Sequence, residues 1–384
     1  MLVRYYSPHK GGNEGQCRLL SEFFAGGDTK VVVLTERYSG ELKKKEVINQ
    51  VEIIRLNSLN TFFNIGKVRS VNFLGKLFRT GFYYLSEFSL MFNIFLFLRL
   101  RKFRYDIIHI HQNNWIAYWG IIAVKKRIPV IIKDATLNGF NELRLMPLSE
   151  SMRKKIIRNG KFVAVSSDIY INLIEYGVKG QNIFLIPNAA AVPSKINSYK
   201  NSEDIIFVGN FEQGKIKGLD TLINAMSIVS VQNKEAKLSI IGKGDPEPYL
   251  RMIEKNPLLK NRIQFYNQVD NISEYYLNAF MFVLPSRCEG MSNSLLEAMS
   301  YGMPCISTRV SGSNDLIVNN QNGMLVDIGS DTQLAETILY LFSHLEIAFS
   351  LGLHARETII KNYQIDLIAD GYLKVYNQII AKND

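Results

Sequence analysis

Residues 279–304 read Ala-Phe-Met-Phe-Val-Leu-Pro-Ser-Arg-Cys-Glu-Gly-Met-Ser-Asn-Ser-Leu-Leu-Glu-Ala-Met-Ser-Tyr-Gly-Met-Pro. The first six are apolar and Pro285 stops them, which predicts a buried strand over 279–284. Helical chemistry resumes near Ser292–Ser294 and continues to Tyr301, where Gly302 supplies a C′ residue and Pro304 blocks continuation. Glu289 therefore falls in a loop at a strand's carboxyl end, and Glu297 about one turn into the next helix. Ligands of open α/β sheets bind in that crevice. The stretch thus gathers two carboxylates and a helix N-terminus around one pocket. The same residues admit a plainer account: Ser294-Leu-Leu-Glu297 matches a capping box, in which Glu297 only satisfies backbone donors and Glu289 is an ordinary loop acid.

Outward from this stretch, strand-like and helix-like segments alternate, implying βα units and a mainly parallel sheet. In the first half strands are predicted at 2–7, 30–34, 107–111, 130–133, 162–166 and 183–187. The second half restarts at 204–208 and continues at 237–241, 263–266, 280–284, 305–307 and 324–326. Between the halves, residues 188–202 are polar and aperiodic, contain Pro193, and read as a linker. A chain of 384 residues is too long for one core and suits two domains. The expected boundaries are 1–190 and 191–365, with a helical tail over 366–384.

The run from Ile263 to Val326 resembles the C-terminal half of the family-4 retaining glycosyltransferases of the GT-B fold. That family's Glu-x7-Glu after a Pro-Ser strand end is present, as are Leu296-Glu-Ala-Met299, Gly302-Met-Pro304 and Asn322-Gly-Met-Leu-Val326. The resemblance implies an α/β chain with two Rossmann-like, doubly wound domains whose parallel sheets face across a cleft, the tail helix crossing back to the first. It also implies roles. Glu297 would bind the ribose hydroxyls of a nucleotide-diphosphate sugar; Glu289 and the amides of Gly290, Met291, Ser292 and Asn293 would meet the donor sugar.

Other segments extend the likeness. Pro8-His-Lys-Gly-Gly-Asn13 follows the first strand, and two glycines let backbone approach a ligand while a helix N-terminus attracts anions. Such a turn can equally be plain, with Asn13 as N-cap. It is similar to the family's Gly-Gly loop, which places Gly11 and Gly12 against the donor diphosphate. Phe207-Val-Gly-Asn-Phe211 through Lys217-Gly218 resembles the family's Gly-Arg…Lys-Gly clamp: Lys217 fits the lysine, and Asn210 stands where the family usually has arginine. Losing that charged fork shifts neutralisation onto Lys217, Lys215 or Arg287, and nearby amides. Gln268-Val269 corresponds to the segment holding the base. His109 and His111 share one face of a strand; His109 reads as a core residue, and His111 resembles the family histidine beside the reacting centre. Lys133-Asp134 stands where relatives often carry His-Asp.

Composition bounds the chemistry. Three cysteines, Cys17, Cys288 and Cys305, lack the pairing of a disulfide framework or a zinc site and suit a reducing cytosol. The first residues have no apolar leader. There is no P-loop and no Asp-x-Asp of the kind that holds a divalent metal on a diphosphate, so neither metal nor cofactor is expected. Residues 1–190 hold 28 Lys and Arg against 14 Asp and Glu, whereas the remainder holds 17 against 21. Such asymmetry concerns partners. Residues 67–104 carry eight basic residues (Lys67, Arg69, Lys76, Arg79, Arg99, Arg101, Lys102, Arg104), one acid (Glu87), and interleaved aromatics. That pattern suits contact with an anionic membrane surface, or simply packs the domain. No nucleic-acid motif accompanies it, and its apolar heart, residues 88–98, is too short to span a bilayer.

The expectation is a metal-independent retaining enzyme, cytoplasmic and peripheral on the inner membrane face. It moves a sugar from a UDP-sugar to a lipid-linked or polysaccharide acceptor in cell-surface polysaccharide biosynthesis. Glu289, His111 and Lys217 would be catalytic; Gly11, Gly12, Asn210, Val269, Gly290, Met291, Ser292, Asn293 and Glu297 would bind substrate. A sugar-nucleotide epimerase or hydrolase, or a membrane-associated binding subunit weakened at Asn210, are the alternatives.

Overall fold

The computed structural model describes residues 1–9, 11–63, 73–100, 105–124, 128–136, 149–198, 202–267, 269 and 271–381. The chain divides into two compact units, Met1–Val165 with Ile169–Ala189 and Ile365–Asp384, and Ser166–Asp168 with Ala190–Gln364.

The first unit holds strands β1 (Val32–Arg37), β2 (Lys45–Ile48), β3 (Val51–Asn57), β4 (Ile108–Ile110), β5 (Val130–Asp134), β6 (Lys161–Ala164) and β7 (Ile183–Leu185). They pair in the orders β1-β3-β2 and β4-β5-β6-β7. Residues 1–4 lie between the two sets, with Leu2 bridged to Leu34 on one side and Ile110 on the other. The strand expected over 2–7 is thus confined to its first residues. All pairings are parallel except β2 with β3. That hairpin was not foreseen; it turns through Asn49 and Gln50 at φ 47° and 66°. Helices Gly12–Ala25 and Ile365–Ala381 cover one face. Cys17, Leu20, Phe24, Ile368, Tyr372 and Tyr376 pack there against Val3, Val33, Ile131 and Val163.

Helix Phe73–Leu100 runs 28 residues through the basic, aromatic segment 67–104. Its portion Gly81–Leu100 is long and apolar enough to cross a membrane, which corrects the expectation of a segment too short to span. It is nevertheless seated on the domain. Leu90, Met91, Ile94 and Phe97 are buried, Asn93 donates to the Asn57 carbonyl at 2.9 Å, and Arg4 pairs with the buried Glu87.

The second unit is one parallel sheet of β8 (Asp204–Val208), β9 (Lys237–Ile241), β10 (Ile263–Tyr266), β11 (Met281–Leu284), β12 (Cys305–Thr308) and β13 (Met324–Val326), in the order β10-β9-β8-β11-β12-β13. Chain order runs outward from β8 in one direction and from β11 in the other, so the topological switch point lies between these two strands. In the first unit the corresponding point lies between residues 1–4 and β4.

Candidate functional site

The carboxyl ends of β8 and β11 carry the loops that hold Lys217 and Glu289. The Lys217 ammonium donates to Glu289 Oε1, which also accepts from the buried Ser286 hydroxyl at 2.9 Å. Lys217 and Glu289 keep 19% and 10% of their side-chain surface, so the pair is sheltered yet reachable. The structure therefore brings together two of the three expected catalytic residues, at the switch point where this class of sheet binds ligands.

Close backbone contact sets this geometry. Gly218 has φ 68°, and a Cβ there would lie 1.8 Å from the Pro285 carbonyl oxygen, so only glycine lets the two loops touch. Gly218→Ala should cost roughly 2–4 kcal/mol through strain and overlap. Thermal unfolding checks this; an unchanged midpoint would mean that the contact is readily relieved. Arg287 fastens the same loops from outside. It grips Asp220 with two hydrogen bonds of 2.7 and 3.0 Å and donates to the Thr221 hydroxyl at 3.0 Å. Burial alone would raise the Asp220 carboxyl, but the Arg287 hydrogen bond and charge hold it below its ordinary value. Arg287, considered for the diphosphate, is thus committed to Asp220. Asn210 is exposed, and its side chain accepts from the Glu212 amide at 3.2 Å, capping the short turn that follows.

Helix Asn293–Ser300 opens beside Glu289, and its N-cap is Ser292, whose hydroxyl accepts from the Leu295 amide. This overturns the capping box at Ser294: with the cap two residues earlier, Glu297 sits too deep in the helix to reach back to it. Glu297 is exposed and accepts from the Tyr276 hydroxyl at 3.1 Å. Burial, with the Glu297 charge, keeps that phenol well above its ordinary value. Gly290, Met291 and Ser292 are buried and Asn293 is half-buried around the helix start. A Cβ on Gly312 would lie 2.3 Å from the Gly290 carbonyl oxygen, so glycine lets the next helix press on this turn. Val269 follows β10 and is half-buried, while Gln268 lies outside the described residues. Sequence reasoning passed over Ser286, Asp220 and Tyr276. The Pro-Ser strand end was a signal for the first; the other two act on partners far along the chain.

In the first unit, helix Gly12–Ala25 starts two residues earlier than expected, with Gly11 rather than Asn13 at its N-cap. The Glu14 carboxylate folds over this end, where a Cβ on Gly11 would meet it at 2.3 Å. Burial raises the Glu14 carboxyl, against a lowering backbone hydrogen bond and the Arg4 charge. His111, just past β4, is 1% exposed and neither of its ring nitrogens has a hydrogen-bond partner. It stacks on His109 at 4.1 Å, and His109 Nδ1 lies 2.6 Å from the Tyr376 hydroxyl. Burial holds both imidazoles well below their ordinary pKa, hence neutral. Among the described residues, no three His, Cys, Asp or Glu side chains converge as a metal site.

Residues 202–344 match the family described as Glycosyl transferases group 1, and residues 10–191 match Glycosyltransferase Family 4. The N-acetyl-alpha-D-glucosaminyl L-malate synthase of Bacillus anthracis is 24% identical over 293 residues, covering 72% of this chain and 75% of that protein. The capsular polysaccharide biosynthesis glycosyltransferase CapM of Staphylococcus aureus is 24% identical over 246 residues, with 62% and 63% covered. The crystal structure of Anabaena HepE in complex with UDP and glucose shares the fold, with a TM-score of 0.74 at 14% identity over 98% of both chains.

Proposed function

Because the chain belongs to the family-4 glycosyltransferases of the GT-B fold, we propose that it transfers a sugar from UDP to a growing cell-surface polysaccharide or its lipid-linked precursor, with retention at the anomeric carbon. The observation that carries this reading is the Lys217–Glu289 pair at the switch point of the second unit, beside a helix N-terminus. HepE, with the same fold, was crystallised with UDP and glucose, and CapM acts in capsule biosynthesis.

In this reading the nucleotide lies on the second unit, with Glu297 on the ribose and Val269 near the base. Lys217 and the amides of Gly290–Asn293 take up charge as the UDP leaves, each helix-dipole contact contributing roughly 0.3–1 kcal/mol. Glu289 meets the donor sugar and releases Lys217 to the diphosphate. Gly11, Gly12 and His111 serve from the first unit, where Glu14 now covers the glycines and would give way to an arriving anion. The first unit also holds the protein to the inner face of the membrane.

A screen of UDP-sugars against lipid extracts and glycans, read by product mass and anomeric configuration, tests the reading. UDP release that depends on acceptor supports it; equal release without acceptor would indicate a hydrolase. Transfer should also survive exhaustive EDTA within about twofold, since Lys217 and backbone dipoles neutralise the leaving group in place of a cation. Activity that vanishes and returns with manganese or magnesium would overturn that point.

A further inference from the structure

We infer that Lys133 pairs with a carboxylate or phosphate carried by a sugar bound at the switch point of the first unit, so that at least one substrate of this transferase is an acidic sugar. The inference rests on the transferase reading and goes beyond it to the substrate's charge.

The placement comes from register. Ile110 pairs with Ile132 in the parallel β4–β5 ladder, so His111 and Lys133 follow as neighbours at the carboxyl ends of adjacent strands. Alternation puts both on the face that Ile131 presents to helices Gly12–Ala25 and Ile365–Ala381. Lys133 is 1% exposed and its ammonium has no hydrogen-bond partner; the two His111 ring nitrogens, His109 Nε2 and the Tyr372 hydroxyl are likewise unpartnered. Five unpartnered polar atoms, on four side chains, thus lie buried in one region of the unit.

Among the described residues, no carboxylate is hydrogen-bonded to these atoms. Asp134 turns to the opposite face, where it accepts from Asn113 at 2.8 Å and from the Thr136 amide at 3.3 Å. Glu14 is folded onto its own helix end. Cys17 is coupled electrostatically to Lys133, but burial pushes its thiol up to about 12, so it carries no charge at neutral pH. A buried ammonium without a counter-charge is costly, and a purely structural position would be served as well by a methionine. An acidic ligand group at the strand ends supplies what the fold omits, with imidazole and phenol donors beside it.

Unpaired, Lys133 meets the cost by letting go of the proton, since burial pushes its amine down to about 7. Of the groups around it, the amino terminus can titrate in the same range, since burial lowers it too. His109 and His111 are held neutral, and Cys17, Tyr372 and Tyr376 are all raised by burial. Glu14, its carboxyl raised by burial, neighbours Cys17, and the amino terminus lies near both histidines. An arriving anion restores the ammonium, so binding at pH 8 takes up close to one proton.

The full-length protein is tested with matched pairs: UDP-glucuronate against UDP-glucose as donor, and uronate- or phosphate-bearing against neutral oligosaccharides as acceptor. Calorimetric binding in buffers of differing ionisation enthalpy reads affinity and proton uptake without turnover; kcat/KM reads transfer. The wild type should prefer the acidic member of one pair at least tenfold, and which pair responds identifies the acid's source. Lys133→Met should abolish the preference and the proton uptake while melting no lower than wild type, with Lys133→Gln as second variant if Met folds poorly. Preference below twofold on both arms, or preference kept in the variants, overturns the inference. A variant that shifts melting alone makes Lys133 structural and also overturns it. If no donor is turned over but the Lys133-dependent binding preference remains, the transferase reading fails and the anion site stands.

Discussion

Glu289→Ala lowers the turnover number about 10²–10³-fold and leaves the donor Michaelis constant within about threefold. Its partners dictate this outcome. The carboxylate is held by Lys217 and Ser286 at the end of β11, where the proposed contact to the reacting sugar would strengthen as charge develops. Removing it also leaves Lys217 unpaired in a sheltered loop. Glu297→Ala should behave differently, raising the Michaelis constant roughly tenfold at nearly unchanged turnover, because the proposed ribose contact would be made equally in ground and transition states. Steady-state kinetics of both variants decide. Wild-type behaviour in both would reduce the two glutamates to ordinary loop and helix acids.

Wild-type protein should sediment with anionic vesicles at low salt and release as salt rises, and it should ignore neutral vesicles. The structure adds an apolar component to the basic segment. Leu85, Phe88 and Phe92 are 58%, 57% and 46% exposed on helix Phe73–Leu100, opposite the residues that seat it. Phe88 and Phe92 stack with centroids 6.4 Å apart. On the proposed membrane reading, a helix anchored by one face and apolar on the other would lie along the interface; spanning would require tearing Glu87 from Arg4. Each Lys or Arg at an anionic surface contributes about 1 kcal/mol, so four acting together give roughly 4 kcal/mol, near a thousandfold in partition. Changing Arg99, Arg101, Lys102 and Arg104 to Gln should remove most of that, and Phe88→Ser with Phe92→Ser should weaken the salt-resistant remainder. Wild type that ignores anionic vesicles at low salt would make the helix face a surface of the soluble protein, with a soluble acceptor.

The second unit was legible because the inner strands of its sheet are buried on both faces. Such strands read as mainly apolar runs, and the strands over 204–208, 237–241, 263–266 and 324–326 fall where the sequence places them. The β2–β3 hairpin was not, because Asn49-Gln50 is a weaker signal than Asn-Gly and Lys45–Ile48 is a polar edge strand. In the site, Lys217 and Glu289 could be named from local pattern. Their meeting is a tertiary fact, as is the diversion of Arg287 to Asp220, 67 positions away. His111 was legible as a strand-end residue, but its bare ring nitrogens and the unanswered charge of Lys133 are visible only once the covering helices are in place.

One feature of the chain's division bears on how the protein is made. The second unit is nearly continuous, from Ala190 to Gln364, whereas the first is completed by helix Ile365–Ala381. Until that helix arrives, Cys17, Leu20 and Phe24 lack the apolar cover that Ile368, Tyr372 and Tyr376 provide. During synthesis the later unit can therefore finish folding before the earlier one, reversing the usual N-to-C order. The first unit meanwhile waits with greasy surface on show, through a loop closure spanning the whole of its neighbour. A nascent chain paused before residue 365 should thus expose a protease-sensitive first unit beside a protease-resistant second.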